Sequence, residues 1–199
     1  LANRTLLLGT TNTHKVEELV VLLRGLPWTV KSLRDFDPVP APDETGGTFE
    51  ANALLKAHYY ARQFEVVCVA DDSGLCVDAL DGGPGVYSAR FAGPDAKDAD
   101  NNRKLLRLLE PVTWSERTAR FVCCAAMAGP GMESVVFKGV VEGHISVEAH
   151  GTQGFGYDPL FVPEGEEHTF AELGPKVKNK MSHRARAFAK LRAYLEDFQ

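Results

Sequence analysis

The stretch Thr5-Leu6-Leu7-Leu8-Gly9-Thr10-Thr11-Asn12-Thr13-His14-Lys15-Val16 decides the fold class. Thr5 to Gly9 is short and apolar, as a buried strand is, and Val16, Leu19, Val20 and Leu23 then recur at the spacing of one helix face. Strand, polar turn and helix in that order open an α/β fold. Working outward, Trp28 to Val30 suggests a short second strand. Asp37 to Gly47, with Pro38, Pro40, Pro42, Gly46 and Gly47, denies the backbone regular hydrogen bonding and predicts an irregular loop long enough to be functional. Thr48 to Phe64 is helical again, with Ala51, Leu54, Leu55 and His58 on one side, and Val66 to Ala70 is a short buried strand ending at Asp71. Past the glycines Gly82, Gly83 and Gly85, a helix is expected from Asn101 to Leu109, closed by Pro111. Arg117 to Ala128, Ser134 to Glu142 and Ile145 to Ala149 read as strands separated by Gly129-Pro130-Gly131 and by Gly143, which predicts an antiparallel meander and so a mixed sheet. The last helix carries the stripe Met181, Ala185, Phe188, Leu191 and Leu195. No repeat, low-complexity tract or linker divides the sequence, so one domain over residues 1–199 is expected.

With 44% hydrophobic and 25% charged residues, the chain has a globular composition able to bury roughly 70% of its unfolded surface. A net charge of −5 argues against coating nucleic acid, which calls for a positive binding surface. A small anionic ligand needs only a local cluster of positive groups. Lys176 to Arg192 offers one, with seven Lys or Arg side chains and His183, and reads equally as a solvated helix face. Cys68, Cys76, Cys123 and Cys124 lack CxxC spacing and scaffold density, so they read as reduced core thiols. On a strand, Cys123 and Cys124 point to opposite faces. With no charged-then-apolar leader and no apolar run of about 18 residues, a membrane partner is not expected and the cytoplasm is the default.

Thr10 to Lys15 lies between strand and helix, where backbone amides and the positive helix end favour a phosphate and Lys15 adds a full charge. The same segment is also an ordinary polar turn with a helix cap. Neither GxxxxGK[ST] nor GxGxxG occurs, which excludes a P-loop and a dinucleotide fingerprint. Asp71-Asp72-Ser73-Gly74 places two carboxylates after a buried strand, an unfavourable position unless they meet a cation or donors. Mg2+ suits oxygen ligands of this kind, with Asp43 and Glu44 completing the protein contacts; a simple Asx turn is the plainer alternative. Alternation turns Asp71 and Asp72 in different directions, so one of them is the base. In Gly154-Phe155-Gly156-Tyr157-Asp158-Pro159, Phe155 suits stacking on a base, worth ~1–3 kcal/mol, although core aromatics at a glycine-rich strand end look the same. Lys178 to Arg184 adds two lysines, a serine and a His-Arg pair. An arginine is donor-only; it matches the 6-oxo group of hypoxanthine or xanthine and leaves the 6-amino group of adenine unpaired, the basis of strong discrimination.

Taken in order, Thr10–Lys15, Glu44-Thr45-Gly46 through Asn52-Ala53 and Lys56, Asp71–Leu75, Pro84-Gly85-Val86-Tyr87-Ser88-Ala89-Arg90, Gly154–Pro159 and Ser182-His183-Arg184 resemble the inosine triphosphate pyrophosphatase family over nearly the whole chain. These are the non-canonical purine nucleoside triphosphate, or dITP/XTP, pyrophosphatases. The resemblance implies a long mixed β-sheet flanked by helices, two lobes with a central active-site cleft, a homodimer and Mg2+ as cofactor. It implies hydrolysis of ITP, dITP and XTP to monophosphate and pyrophosphate, which cleanses the nucleotide pool. By the same resemblance Thr10, Thr11, Asn12, Thr13, His14 and Lys15 hold the triphosphate, with Asn12 and Lys15 in contact and Lys56 assisting. Asp72 is the general base and a metal ligand, joined by Asp43 or Glu44, and Ser73 contacts substrate. Phe155, Gly156, Tyr157, Asp158, Lys178, His183 and Arg184 form the nucleotide and base pocket. The sequence departs from the family at Thr11, where glycine is common, and at Asp43, where Glu is frequent.

Three rivals remain at this stage. The Maf-like pyrophosphatases suit the opening unit and prefer pyrimidine or modified nucleotides. A non-catalytic nucleotide-binding regulatory module is disfavoured by Asp43, Glu44, Asp71 and Asp72, because carboxylates beside a polyanion gain nothing without a metal. Nucleic-acid binding through the basic terminal helix predicts salt-sensitive association.

Overall fold

The computed structural model describes residues 4–197. The opening unit forms as expected, with β1 (Arg4–Leu8) and α1 (Thr13–Leu22), followed by β2 (Trp28–Ser32) and α2 (Phe49–Phe64). Then come β3 (Val67–Val77), α3 (Asp98–Leu108), β4 (Thr118–Ala128) and β5 (Val135–Ile145). The short β6 (Phe161–Pro163) and the helices α4 (Phe170–Met181) and α5 (His183–Asp197) complete the order. The six-stranded sheet runs β2-β1-β3-β4-β5-β6. β1 is parallel to both β2 and β3, whereas β6 is antiparallel to β5, so the sheet is mixed and the fold is α/β. Among the described residues no helix is long and apolar enough to cross a membrane.

The chain divides into two compact units, each assembled from separated segments. The first takes the residues through Asp72, then Cys123–Gly139 and the residues from Arg184 on; the second takes Ser73–Val122 and Val140–His183. In the first unit, strand alternation sends successive side chains to opposite faces, and both faces are covered. Leu6, Leu8, Val69, Cys123 and Met127 pack with Leu19 and Leu23 of the α1 segment and with Phe188, Leu191 and Leu195 of α5. Leu7, Cys68, Ala70, Cys124 and Ala126 pack instead with Ala53, Ala57, Tyr60 and Ala61 of α2. Cys123 and Cys124 thus lie on opposite faces as the strand period predicts, and the four cysteines are not joined in disulfides. Burial pushes the Cys68 thiol well above its ordinary range. The second unit has its own core of Leu75, Val77, Leu105, Leu109, Phe121, Val141, Ile145, Leu160, Phe161 and Phe170.

Several local expectations are corrected. The buried face of α2 is Asn52, Ala53, Ala57, Tyr60 and Ala61, and of the side named from sequence Leu54 packs half-buried against the same core. Alanines four residues apart let the helix come close to the sheet, an advantage that side-chain hydrophobicity alone does not express. β3 does not end at Asp71 but runs through Asp71-Asp72-Ser73-Gly74 to Val77. Met181 closes α4 and does not belong to the stripe of α5, whose buried members are Ala185, Ala187, Phe188, Leu191 and Leu195. α4 itself was not anticipated, although its signal is present: Thr169 Oγ1 accepts from the Glu172 N–H and the Glu172 carboxylate accepts from the Thr169 N–H, a capping box.

Gly143 is not the break between two strands that the sequence predicts: β5 passes through it without interruption and Ile145 to Ala149 is not a separate strand. The glycine permits close approach: a Cβ there would stand 2.2 Å from the Val162 carbonyl oxygen and 2.8 Å from Phe161 Cζ. Gly143→Ala is therefore expected to destabilise the protein by about 1–3 kcal/mol, the scale of overpacking. Equilibrium urea unfolding measures this, and an unchanged midpoint would mean that β6 does not pair with β5 as described.

Candidate active site

The polar turn before α1 is held by its own side chains. Asn12 is the N-cap, its Oδ1 accepting from the Lys15 N–H at 3.1 Å, and Thr10 Oγ1 accepts from the Asn12 N–H at 3.2 Å. Arg34 donates to Thr13 Oγ1 at 2.7 Å. Thr11, Asn12, Thr13 and His14 are exposed, so the first helical N–H groups and this ring of hydroxyls face solvent, where an anion can reach them. Lys15 turns inward, its Nζ 3.0 Å from Asp71 Oδ2.

Asp71 and Asp72 are both buried and, as neighbours on β3, serve different partners. Asp71 Oδ2 meets Lys15 and also the guanidinium of Arg184, whose Nε and Nη2 each lie at 3.4 Å. Arg184 Nη1 donates to the carboxylate of Glu18. Burial works to lower the Arg184 pKa, but Asp71 and Glu18 outweigh it and hold the guanidinium firmly charged. Asp72 faces α2. Its Oδ1 accepts from Lys56 Nζ at 3.1 Å and its Oδ2 from Asn52 Nδ2 at 3.2 Å. Lys56 Nζ also donates to Glu44 Oε1 at 2.7 Å, so one ammonium joins two carboxylates. Asn52 Oδ1 accepts from the Gly46 N–H at 2.7 Å, which fixes the amide's orientation and ties the irregular loop to Asp72. Burial pushes the Asp72 carboxyl above its ordinary range although Lys56 and Lys15 pull it down. For Lys56, burial is outweighed by Asp72 and Asp71, with Glu44 adding to them, and the ammonium is held above the usual lysine value.

The second unit carries another buried charge pair. Asp158 Oδ2 accepts from Lys178 Nζ at 2.6 Å and from the Phe155 N–H at 2.9 Å. The Lys178 ammonium stands 4.3 Å from the centre of the Phe155 ring, a cation–π contact. Gly154 has φ +79°, and a Cβ there would fall 2.2 Å from Asp158 Oδ2, so this turn requires glycine. Tyr157 is buried with its hydroxyl donating to the Ser88 carbonyl at 2.8 Å, and burial pushes the phenol up. His183 is buried against Phe121, ring centres 4.7 Å apart and nearly parallel. Ser73 is half-buried on β3.

Of the residues anticipated from sequence, Lys15, Lys56, Glu44, Asp71 and Asp72 gather in the first unit, and Phe155, Asp158 and Lys178 gather in the second. Asp43 is exposed, its carbonyl accepting from the Thr45 N–H, while Glu44 is the acid that reaches Lys56. Arg184 falls in the first unit with Asp71 and Glu18. The basic run 176–192 is not one face: Lys178 serves Asp158, Arg184 serves Asp71, and Lys190 and Arg192 each hold a backbone carbonyl at 2.7 Å. Asn52 and Glu18 were missed. The i, i+4 spacing of Asn52 and Lys56 puts both on one helix face and was readable. Glu18 answers an arginine 166 residues away, and no local pattern announces that.

The pattern that defines the Ham1 family matches residues 6–194. A dITP/XTP pyrophosphatase of Geobacter sulfurreducens is 49% identical over 190 residues, 96% of each chain. The solved structure of the Staphylococcus aureus Ham1 protein superposes with a TM-score of 0.89 at 40% identity, covering 98% of this chain and 100% of that one. The nucleoside-triphosphatase, or dITP/XTP pyrophosphatase, of Mycobacterium abscessus gives 0.76 at 44% identity, covering 94% and 98%.

The buried network has a thermodynamic signature. Removing one partner of a buried ion pair leaves an uncompensated charge, so Arg184→Met is expected to cost about 3–5 kcal/mol. Arg120→Met breaks the more exposed contacts with Asp78 and Glu142 and is expected to cost about 1 kcal/mol or less. Urea unfolding of the two variants side by side checks the contrast, and equal losses would remove the network from its place in the first unit.

Proposed function

The chain belongs to the Ham1 family, and from that membership and the geometry above we propose that it hydrolyses non-canonical purine nucleoside triphosphates (ITP, dITP and XTP) to the monophosphate and pyrophosphate. The observation that carries this reading is the Asp72 carboxylate, buried yet served by Lys56 and Asn52, with Glu44 on the same ammonium. A carboxylate raised by burial is a better base than an exposed aspartate.

In this reading Asp72 accepts the proton of the water that attacks the α-phosphorus. The bond from that phosphorus to the bridging oxygen breaks, and the pyrophosphate leaves with its charge met by Lys15 and Lys56. Thr10 to Thr13, with Asn12 and His14, line the phosphate-binding turn, and Ser73 contacts the substrate. Fixed charge aimed at the developing negative oxygens supplies most of the rate gain.

Among the described residues no group of three or more His, Cys, Asp or Glu side chains is placed to hold a metal. Two carboxylates sharing one ammonium are nevertheless the donor set that suits Mg2+ when nucleotide phosphates and water complete its shell. We assign Asp72 and Glu44, not the exposed Asp43, to that ion; when bound it neutralises phosphate charge.

Phe155 is the stacking surface for the purine, with Gly156, Tyr157, Asp158 and His183 shaping its surroundings. Lys178 is the donor-only group beside the ring, and a donor-only group favours a 6-oxo over a 6-amino purine. Arg184 serves this end only by exchanging Glu18 or Asp71 for the purine oxygen. The family resemblance further supports a homodimer acting in the cytoplasm.

Chromatography after incubation with inosine triphosphate and Mg2+ is expected to show monophosphate and pyrophosphate together. Stepwise diphosphate would overturn the reading, and faster turnover of uridine or thymidine triphosphate would favour the Maf-like alternative. Asp72→Asn is expected to lower kcat by about 10²–10⁴-fold, the usual contribution of a positioned base. Near-wild-type turnover at saturating Mg2+ would remove Asp72 from that role.

A further inference from the structure

Two polar side chains of α3 hold the loop that carries Phe155, and neither belongs to the groups described above. Asp98 Oδ2 accepts from the Gly156 N–H at 2.6 Å, and Asn102 Nδ2 donates to the Gly156 carbonyl at 3.0 Å. The two residues are four apart, on one face of the helix. Both backbone polar groups of Gly156, which sits at φ +63°, are thereby taken up by a single rigid element. On the N-terminal side of the Phe155 Cα, the N–H of Phe155 is held by Asp158. Phe155 is thus fastened before and after its own Cα.

The Asn102 amide has one orientation available. With nitrogen and oxygen exchanged, its oxygen would oppose the Gly156 carbonyl, acceptor against acceptor. In the orientation it takes, Asn102 Oδ1 is buried and finds no hydrogen-bond partner among the described residues. Native proteins rarely leave such an atom unpaired, and where they do a functional constraint is a common reason.

We propose that Asp98 and Asn102 are positioning residues for purine recognition: by clamping Gly156 they set the plane of the Phe155 ring on which the base stacks. The proposal rests on the reading of Phe155 as the stacking surface. Neither residue touches the reacting atoms, so their loss acts on the base end of the substrate and leaves the phosphate end alone.

The two products separate the ends. Inosine monophosphate carries the base, and pyrophosphate does not. With the full chain, Asp98→Ala and Asn102→Leu are each expected to raise KM for inosine triphosphate and the inhibition constant of inosine monophosphate by roughly 3–10-fold, the scale of one hydrogen bond. kcat and the inhibition constant of pyrophosphate stay within about twofold. Asp98→Asn keeps an acceptor oxygen for the Gly156 N–H and is expected to recover most of the loss, which also answers a variant that fails to fold. Phe155→Ala reports on the underlying reading and should weaken inosine monophosphate in the same direction. If Phe155→Ala leaves that inhibition unchanged, the base does not stack there, and the reading and the proposal fall together. If Phe155→Ala moves it while the α3 variants do not, or while they weaken both products alike, the clamp is only scaffold and the proposal alone is overturned.

Discussion

Two adjacent carboxylates buried in the middle of one strand are the constraint around which the first unit is organised. Desolvation of each ion is worth several kcal/mol against folding unless cations and donors reach it. Because neighbouring strand residues point oppositely, each carboxylate draws its own hydrogen-bonding partners. Asp71 draws Lys15 from the start of α1 and Arg184 from the start of α5, while Asp72 draws Lys56 and Asn52 from α2. Three helices that are distant in sequence are thus brought to a single pair of residues. The apolar clusters on the two faces of the sheet supply the bulk of the burial, but they do not specify which helix end meets which strand residue. The carboxylates do.

The same constraint explains where sequence reading succeeds and where it stops. The α/β class, the turn capped by Asn12, the opposite facing of Asp71 and Asp72, and the separation of Cys123 from Cys124 were legible because each follows from a period or a local hydrogen bond. The continuation of β3 through Asp71-Asp72 was not. A carboxylate pair reads locally as a strand end, and only the arrival of Lys15, Lys56 and Arg184 from elsewhere reverses that. The packing face of α2 is not legible for a similar reason: alanines pack well only against a partner that comes close enough, and the partner lies in other segments. Gly143 looked like a break because its role, admitting the Val162 carbonyl, belongs to a strand pairing 19 to 20 residues away.

Within the candidate site, charged residue types were readable and their pairings were not. Lys178 and Arg184 stand six residues apart in one basic segment, yet they neutralise Asp158 and Asp71 in different units. Composition suggested a positive patch; the structure shows Lys178 and Arg184 engaged with buried acids and Lys190 and Arg192 with backbone carbonyls. On the proposed function an anion meets the exposed turn before α1 and two lysines, Lys15 and Lys56, that already face carboxylates. Such lysines are poised for exchange, since a phosphate oxygen offers the same acceptor chemistry as the aspartate it replaces.

That exchange is possible at Lys15 because of how Asp71 is held. If Lys15 were its only cation, turning the ammonium toward a phosphate would leave a buried carboxylate uncompensated, a penalty comparable to the binding gained. Arg184 meets the difficulty: its Nε and Nη2 hold Asp71 independently of Lys15. Glu18 in turn keeps the guanidinium from being an excess buried charge while Lys15 is still in place. At Asp72 the corresponding reserve is Asn52, whose amide holds the carboxylate independently of Lys56. Each acid in the strand therefore has two partners from different elements, and on the proposed function this redundancy would keep a donor on each buried carboxylate while a lysine meets a polyanion.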